Sequence, residues 1–123
     1  MKKILGLAFA LSLALPSGRA HAAMTAEQAG DKAIVLLEAM ADIIDKDQDN
    51  CDKMAVDLNK YQDDNAALIK ELGEAKAKRT PADKKAWQDK YKARLEAAQG
   101  KMMAGGQKCE KNEKVKAAFQ RMR

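Results

Sequence analysis

Ala29, Ala33, Leu36, Leu37, Met40, Ile43 and Ile44 recur at intervals of three and four. That repeat lines one side of an α-helix and cannot line one face of a strand. The rhythm returns in Cys51, Met54, Ala55, Leu58, Tyr61, Leu68, Ile69 and Leu72, where Asn65 interrupts the stripe. It returns again in Ala86, Trp87, Tyr91, Leu95, Ala98 and Met102, and last in Val115, Ala118, Phe119 and Met122. No stretch alternates Val, Ile or Thr with polar residues, so the chain is expected to be all-α.

Boundary signals divide the stripes into four helices. Thr25 and Gln28 form a Thr-x-x-Gln capping box, and the first helix should run to about Asp47. Asp49 or Asn50 opens the second, which Gly73 ends unless the helix-forming EAKAK extends it. The third start combines Thr80 as cap, Pro81 in the first turn and Asp83 at the positive end of the dipole. Gly105 and Gly106 are expected to stop that helix, and Asn112 to cap a shorter fourth. Three long amphipathic helices and a shorter fourth, joined by short connections, predict an up-and-down antiparallel four-helix bundle.

The N-terminus has the three parts of a secretory signal peptide: Lys2 and Lys3, an apolar run from Ile4 to Leu15, and an Ala20-His21-Ala22 cleavage signal. The run is too short to span a bilayer. Cleavage after Ala22 would leave residues 23–123 as one exported domain, periplasmic or secreted, with no integral membrane segment. Lys2, Lys3 and Arg19 leave with the leader and no acid does, so the formal net charge of +5 falls to +2. A nearly balanced exported chain has little reason to meet nucleic acid.

The mature chain of 101 residues builds only a modest core, and its two cysteines meet an oxidising compartment. In the expected bundle, the start of the second helix and the corner before the fourth lie at one end, so Cys51 and Cys109 are expected to pair. Closing that loop stabilises the fold by about 4 kcal/mol on the chain-entropy account.

Charge is sharply divided. Residues 23–74 carry 13 acids and five lysines, whereas residues 75–123 carry five acids and 15 lysines or arginines. The two halves are expected to pair with each other as complementary hairpins. The basic half could instead meet an anionic envelope component or an acidic protein surface.

Several chemistries are poorly supplied. The only histidine, His21, and both serines, Ser12 and Ser17, belong to the leader. With the thiols paired and Thr25 and Thr80 capping helices, no nucleophile and base can be assembled, and no enzyme is expected. Haem bundles such as cytochrome c′ share the expected architecture, but their ligand histidine is missing, and no cofactor is expected. Methionines at helical spacing fill cores more readily than they hold copper. Asp45, Asp47 and Asp49 occupy the first, third and fifth places of a calcium loop. The sixth is Asn50 where Gly is required, and the twelfth is Val56 where Glu is required, so a helix corner is the better account.

Lys84, Lys85, Trp87, Lys90, Tyr91 and Lys92 remain as a possible binding face, two aromatic rings among four cations. The segment RTPADKKAWQDKYKARLEA that holds them resembles the helix openings of Spy-type and CpxP-type periplasmic chaperones. Arg79 stands where those motifs carry Leu, Asp83 where they carry Gln, and one copy is present instead of several. The resemblance implies a binder of unfolded or anionic partners. The leading expectation is a non-enzymatic structural or protein-interaction module of the cell envelope, with the chaperone-like binder and a small-ligand or metal carrier as alternatives.

Overall fold

The structure, a computed structural model, describes residues 24–122. The expected leader, residues 1–22, lies outside them. The described residues are all-helical, in six helices: α1 (Ala26–Lys46), α2 (Cys51–Asp64), α3 (Ala66–Ala77), α4 (Pro81–Lys90), α5 (Lys92–Lys108) and α6 (Glu113–Arg121).

The caps stand where the sequence places them. Thr25 and Gln28 close a reciprocal box at the head of α1, Thr80 and Asp83 do the same for α4, and Asn50 and Asn112 accept amide bonds at the heads of α2 and α6. Each satisfies amides that a helix start leaves without partners.

The helix count differs from the expected four because two long stretches are broken. Asn65 separates α2 from α3, and its side-chain amide donates to the Tyr61 carbonyl at 2.8 Å. A side chain that bonds the carbonyl of the preceding turn competes with the helix ladder there. Tyr91 separates α4 from α5 with φ −109° and ψ 20°, outside the helical well.

Gly105 and Gly106 do not stop α5, which continues to Lys108. Gly105 is instead a point of close approach. A Cβ there would stand 2.6 Å from Ile44 Cγ2 and 2.7 Å from the Ile44 carbonyl oxygen, so only glycine lets α5 lie this near to α1. Gly30 serves the other end of the same pairing, where a Cβ would meet the Trp87 ring at 2.5 Å.

The two halves of the chain meet in a constant register. Asp31 meets Lys90, Glu38 meets Arg94, Asp42 meets Lys101, Asp49 meets Lys108, Asp52 meets Asn112 and Asn59 meets Arg121, all at separations of 56 to 62 residues. In an antiparallel pair the separation would change steadily along the chain; a constant one means parallel helices. α1 therefore runs beside α4 and α5, and α2 beside α6, so the second hairpin is laid along the first in the same direction. The expected up-and-down antiparallel four-helix bundle is not established by these contacts. α1 makes its most extensive packing with α5, α2 packs on α6, and α1 also touches α2 and α3.

Cys51 and Cys109 are joined, with Cα atoms 5.4 Å apart across 58 residues. The main core surrounds that bond: Ile44, Met54, Ala55, Leu58, Cys109, Val115 and Ala118. Gln62 is buried beside it and donates to the Ala118 carbonyl at 3.1 Å, which satisfies the amide. By contrast, α3 and α4 bury no residue. The molecule is tied at the disulfide end and thinly packed at the other.

Two substitutions separate close approach from helix propensity. Gly105→Ala should destabilise the protein by about 1–3 kcal/mol through overpacking against Ile44. Gly106→Ala, with nothing within 4 Å of the new Cβ, should be neutral or stabilising by up to about 1 kcal/mol. Urea unfolding of the two variants under oxidising conditions checks the pair. Reducing the disulfide should lower the unfolding free energy by up to about 4 kcal/mol in the same assay.

Candidate functional site

The six residues expected to form a binding face part company in the fold. Three of them belong to the contact between α4 and α1. The Trp87 indole N–H donates to the Gly30 carbonyl at 2.7 Å, the Tyr91 hydroxyl donates to Asp31, and Lys90 lies 3.3 Å from the same carboxylate. The two rings meet edge to face, with centroids 6.3 Å apart. Cations already lie over them: Arg79 over Trp87, and Lys90 and Arg94 over Tyr91.

Lys84, Lys85 and Lys92 remain exposed, with Lys85 paired to Asp89 one turn on. Beside these rings an open cleft of about 200 Å³ lies between the N-terminal part of α1 and the length of α4, lined by Glu27, Asp31, Asp83, Trp87, Lys90 and Tyr91. Its polar groups are largely committed to one another or to the Thr80 cap.

The charge division of the sequence is used inside the molecule. Six ion pairs join an acid of the first hairpin to a base of the second: Asp31–Lys90, Glu38–Arg94, Asp42–Lys101, Asp49–Lys108, Asp52–Lys114 and Asp63–Arg121. Exposed pairs of this kind add little each, and their value lies in fixing which surfaces meet and in what register. The Tyr91 and Lys90 hydrogen bonds hold Asp31 below the usual carboxylate range, and Arg94 does the same for Glu38.

Subtracting those pairs leaves a different basic surface from the one expected. At the α3–α4 corner, Lys76, Lys78 and Lys84 are exposed and form no ion pair among the described residues, with Arg79 between them. Ten residues, 76–85, carry five cations and one acid, and that acid, Asp83, is engaged as the cap of α4. The sequence signal was the run KAKRTPADKK; only the fold shows which of its cations are spent.

The three aspartates of the calcium-like stretch diverge. Asp45 accepts from Gln48, Asp49 reaches Lys108, and Asp47 is buried at the end of α1. Among the described residues no three His, Cys, Asp or Glu side chains converge as metal ligands, and no helix is long and apolar enough to cross a membrane. Sequence reasoning missed that Lys53 stands beside both Asp47 and Asp57, 3.7 Å and 2.7 Å from their carboxylates. Nothing in the spacing distinguishes Asp47 from its exposed neighbours.

No protein-family model, curated protein or solved structure matches the chain.

The cross-hairpin pairs make the fold acid-sensitive in a defined direction. Carboxyls held low in the folded state contribute stability above the ordinary carboxylate range and lose it as pH falls through their lowered values. Asp31→Asn and Glu38→Gln should each flatten the decline in melting temperature between about pH 5 and pH 2. A thermal melt across that range, beside the parent protein, measures the change.

Proposed function

We propose that this is a small exported interaction module without catalytic activity, and that its α3–α4 corner is the face that meets an anionic surface, lipid headgroups of the cell envelope being the case to test. One observation carries the reading. The cations of α5 and α6 at Lys101, Lys108, Lys114 and Arg121 are committed to the first hairpin, whereas Lys76, Lys78 and Lys84 are committed to nothing among the described residues. Unpaired cations gathered at one corner create a local positive field there.

Supporting chemistry agrees. The described residues contain neither serine nor histidine, and both thiols are oxidised, so the usual nucleophiles are missing. The disulfide suits an oxidising compartment outside the cytosol. The thinly packed α3 leaves Leu68, Ile69 and Leu72 only half-buried next to the corner, apolar surface that could follow the lysines into contact. A chaperone-like use of Trp87 and Tyr91 has less to draw on, because both rings are turned onto α1.

Co-sedimentation with vesicles tests the proposal. The oxidised protein should bind vesicles rich in anionic phospholipid and not zwitterionic ones, with binding that weakens as salt is raised. At about 1 kcal/mol per cation near such a surface, replacing Lys76, Lys78 and Lys84 with Glu should weaken binding roughly a hundredfold or more. Equal binding by the variant, or no preference for anionic vesicles, would contradict the assignment.

A further inference from the structure

Five of the six helices are tied to a distant neighbour by a polar or covalent bond. α4 donates from Trp87 to Gly30 of α1, α5 pairs Arg94 and Lys101 with Glu38 and Asp42 of α1, α6 pairs Arg121 with Asp63 of α2, and Cys51 of α2 is bonded to Cys109. α3 is the exception. No ion pair or side-chain hydrogen bond joins it to another element among the described residues. It packs on α1 and the end of α2, buries no residue, and carries a half-buried stripe of Leu68, Ile69, Leu72 and Ala75. A segment held by so little buried surface opens locally at a free energy well below that of global unfolding.

Both ends of α3 permit this. Asn65 lies outside the helical well, with φ −114° and ψ 18°, and its side chain does not cap α3. At the other end the Lys78 and Arg79 amides bond only to carbonyls of the last turn of α3, those of Ala75 and Lys76. Thr80 and Asp83 then close the head of α4 by themselves. α3 can therefore leave α1 while α2, α4 and the disulfide-tied core stay folded.

A helix of 12 residues is marginal alone in water, so α3 keeps its form where its stripe is covered. On α1 that cover is partial. A bilayer interface covers such a stripe fully, and long lysine stems let the charges stay at the headgroups. Charge selects lipid over a second copy of the chain. Residues 76–85 carry five cations and one acid, so two such corners repel each other, whereas anionic headgroups neutralise them.

We propose that α3 is a strap that peels from α1 at an anionic bilayer and lays Leu68, Ile69 and Leu72 among the lipids, with Lys76 and Lys78 at the headgroups. The inference rests on the α3–α4 corner being the lipid-facing surface, and adds that firm contact requires the strap to open. Attraction by the lysines is screened by salt; insertion of the stripe is not.

Fluorescence separates the two steps. Trp87 is the only tryptophan, and its indole is bonded to Gly30 on α1, so the parent protein is the control. Leu72→Trp places a second ring on the strap. With anionic vesicles containing a phospholipid brominated in its acyl chains, this variant should shift to the blue and be quenched, while the parent emission stays unchanged. Vesicle binding with neither shift nor quenching would overturn the strap and leave the corner as a rigid lysine patch, the reading of the preceding subsection intact. Failure of both proteins to sediment with anionic vesicles would remove both ideas. A blue shift that grows with protein concentration, without vesicles, would assign the stripe to a second copy and overturn the proposal.

Two further measurements do not depend on the added ring. Hydrogen exchange of the parent should be at least about tenfold faster in α3 than in α1 and α2, and should slow in α3 on anionic vesicles. Protection of α3 equal to that of α1 in water would rule out the opening. Leu72→Ala removes a half-covered contact on α1 and a fully covered one in lipid, so vesicle binding should weaken roughly fivefold with an unchanged salt dependence. Undiminished binding by that variant would contradict insertion.

Discussion

The bond between Cys51 and Cys109 holds two helical hairpins of opposite charge at one fixed offset. A covalent link at one end does not by itself align helices some 30 Å long, by the usual rise per residue. The alignment is carried along the helices by acid–base contacts at nearly the same offset as the cysteines, from Asp31 and Lys90 on one leg of the hairpins to Asp63 and Arg121 on the other. Shifting the second hairpin by one turn would bring bases past their acids and strain the disulfide. Bond and charges therefore select the same arrangement, and neither needs to be individually strong.

Packing follows that alignment. The core is densest where the disulfide brings α1, α2, α5 and α6 together, around Ile44, Met54, Leu58 and Val115. Gly105 lets α5 approach the Ile44 backbone, and Gly30 admits the Trp87 ring near the opposite end of α1. Between these two points α1 and the α4–α5 stretch lie close along their length. The α3–α4 corner is beyond the reach of both the core and the cross-hairpin pairing, and its Lys76, Lys78 and Lys84 form no ion pair among the described residues. A basic surface there is a consequence of how the rest of the charge is used.

Much of this was legible in the sequence. The three-four stripes gave helix, and the Thr25, Asn50, Thr80 and Asn112 caps gave their starts, because capping depends on chemistry within one turn. The cysteine pairing followed from compartment and count. Less legible were features set by distant partners. Glycine reads equally as a helix stop or as a close approach, and only Ile44 decides for Gly105. Asn65 and Tyr91 break helices whose stripes run on through them. Trp87, Lys90 and Tyr91 read in the sequence as a free face, and only the fold puts Gly30 and Asp31 against them. Of Asp45, Asp47 and Asp49, only the direction of the α1 end shows which one is buried.

The constant offset between the hairpins is the central claim, and zero-length carbodiimide cross-linking of the oxidised protein, read by mass spectrometry, tests it most directly. Carboxylates and lysines in contact become amide-linked. Asp31–Lys90, Asp42–Lys101 and Asp49–Lys108 should dominate the links between the halves, each at a separation of 59 residues. Links whose separations shrink steadily along the chain would mean antiparallel neighbours and would contradict the account.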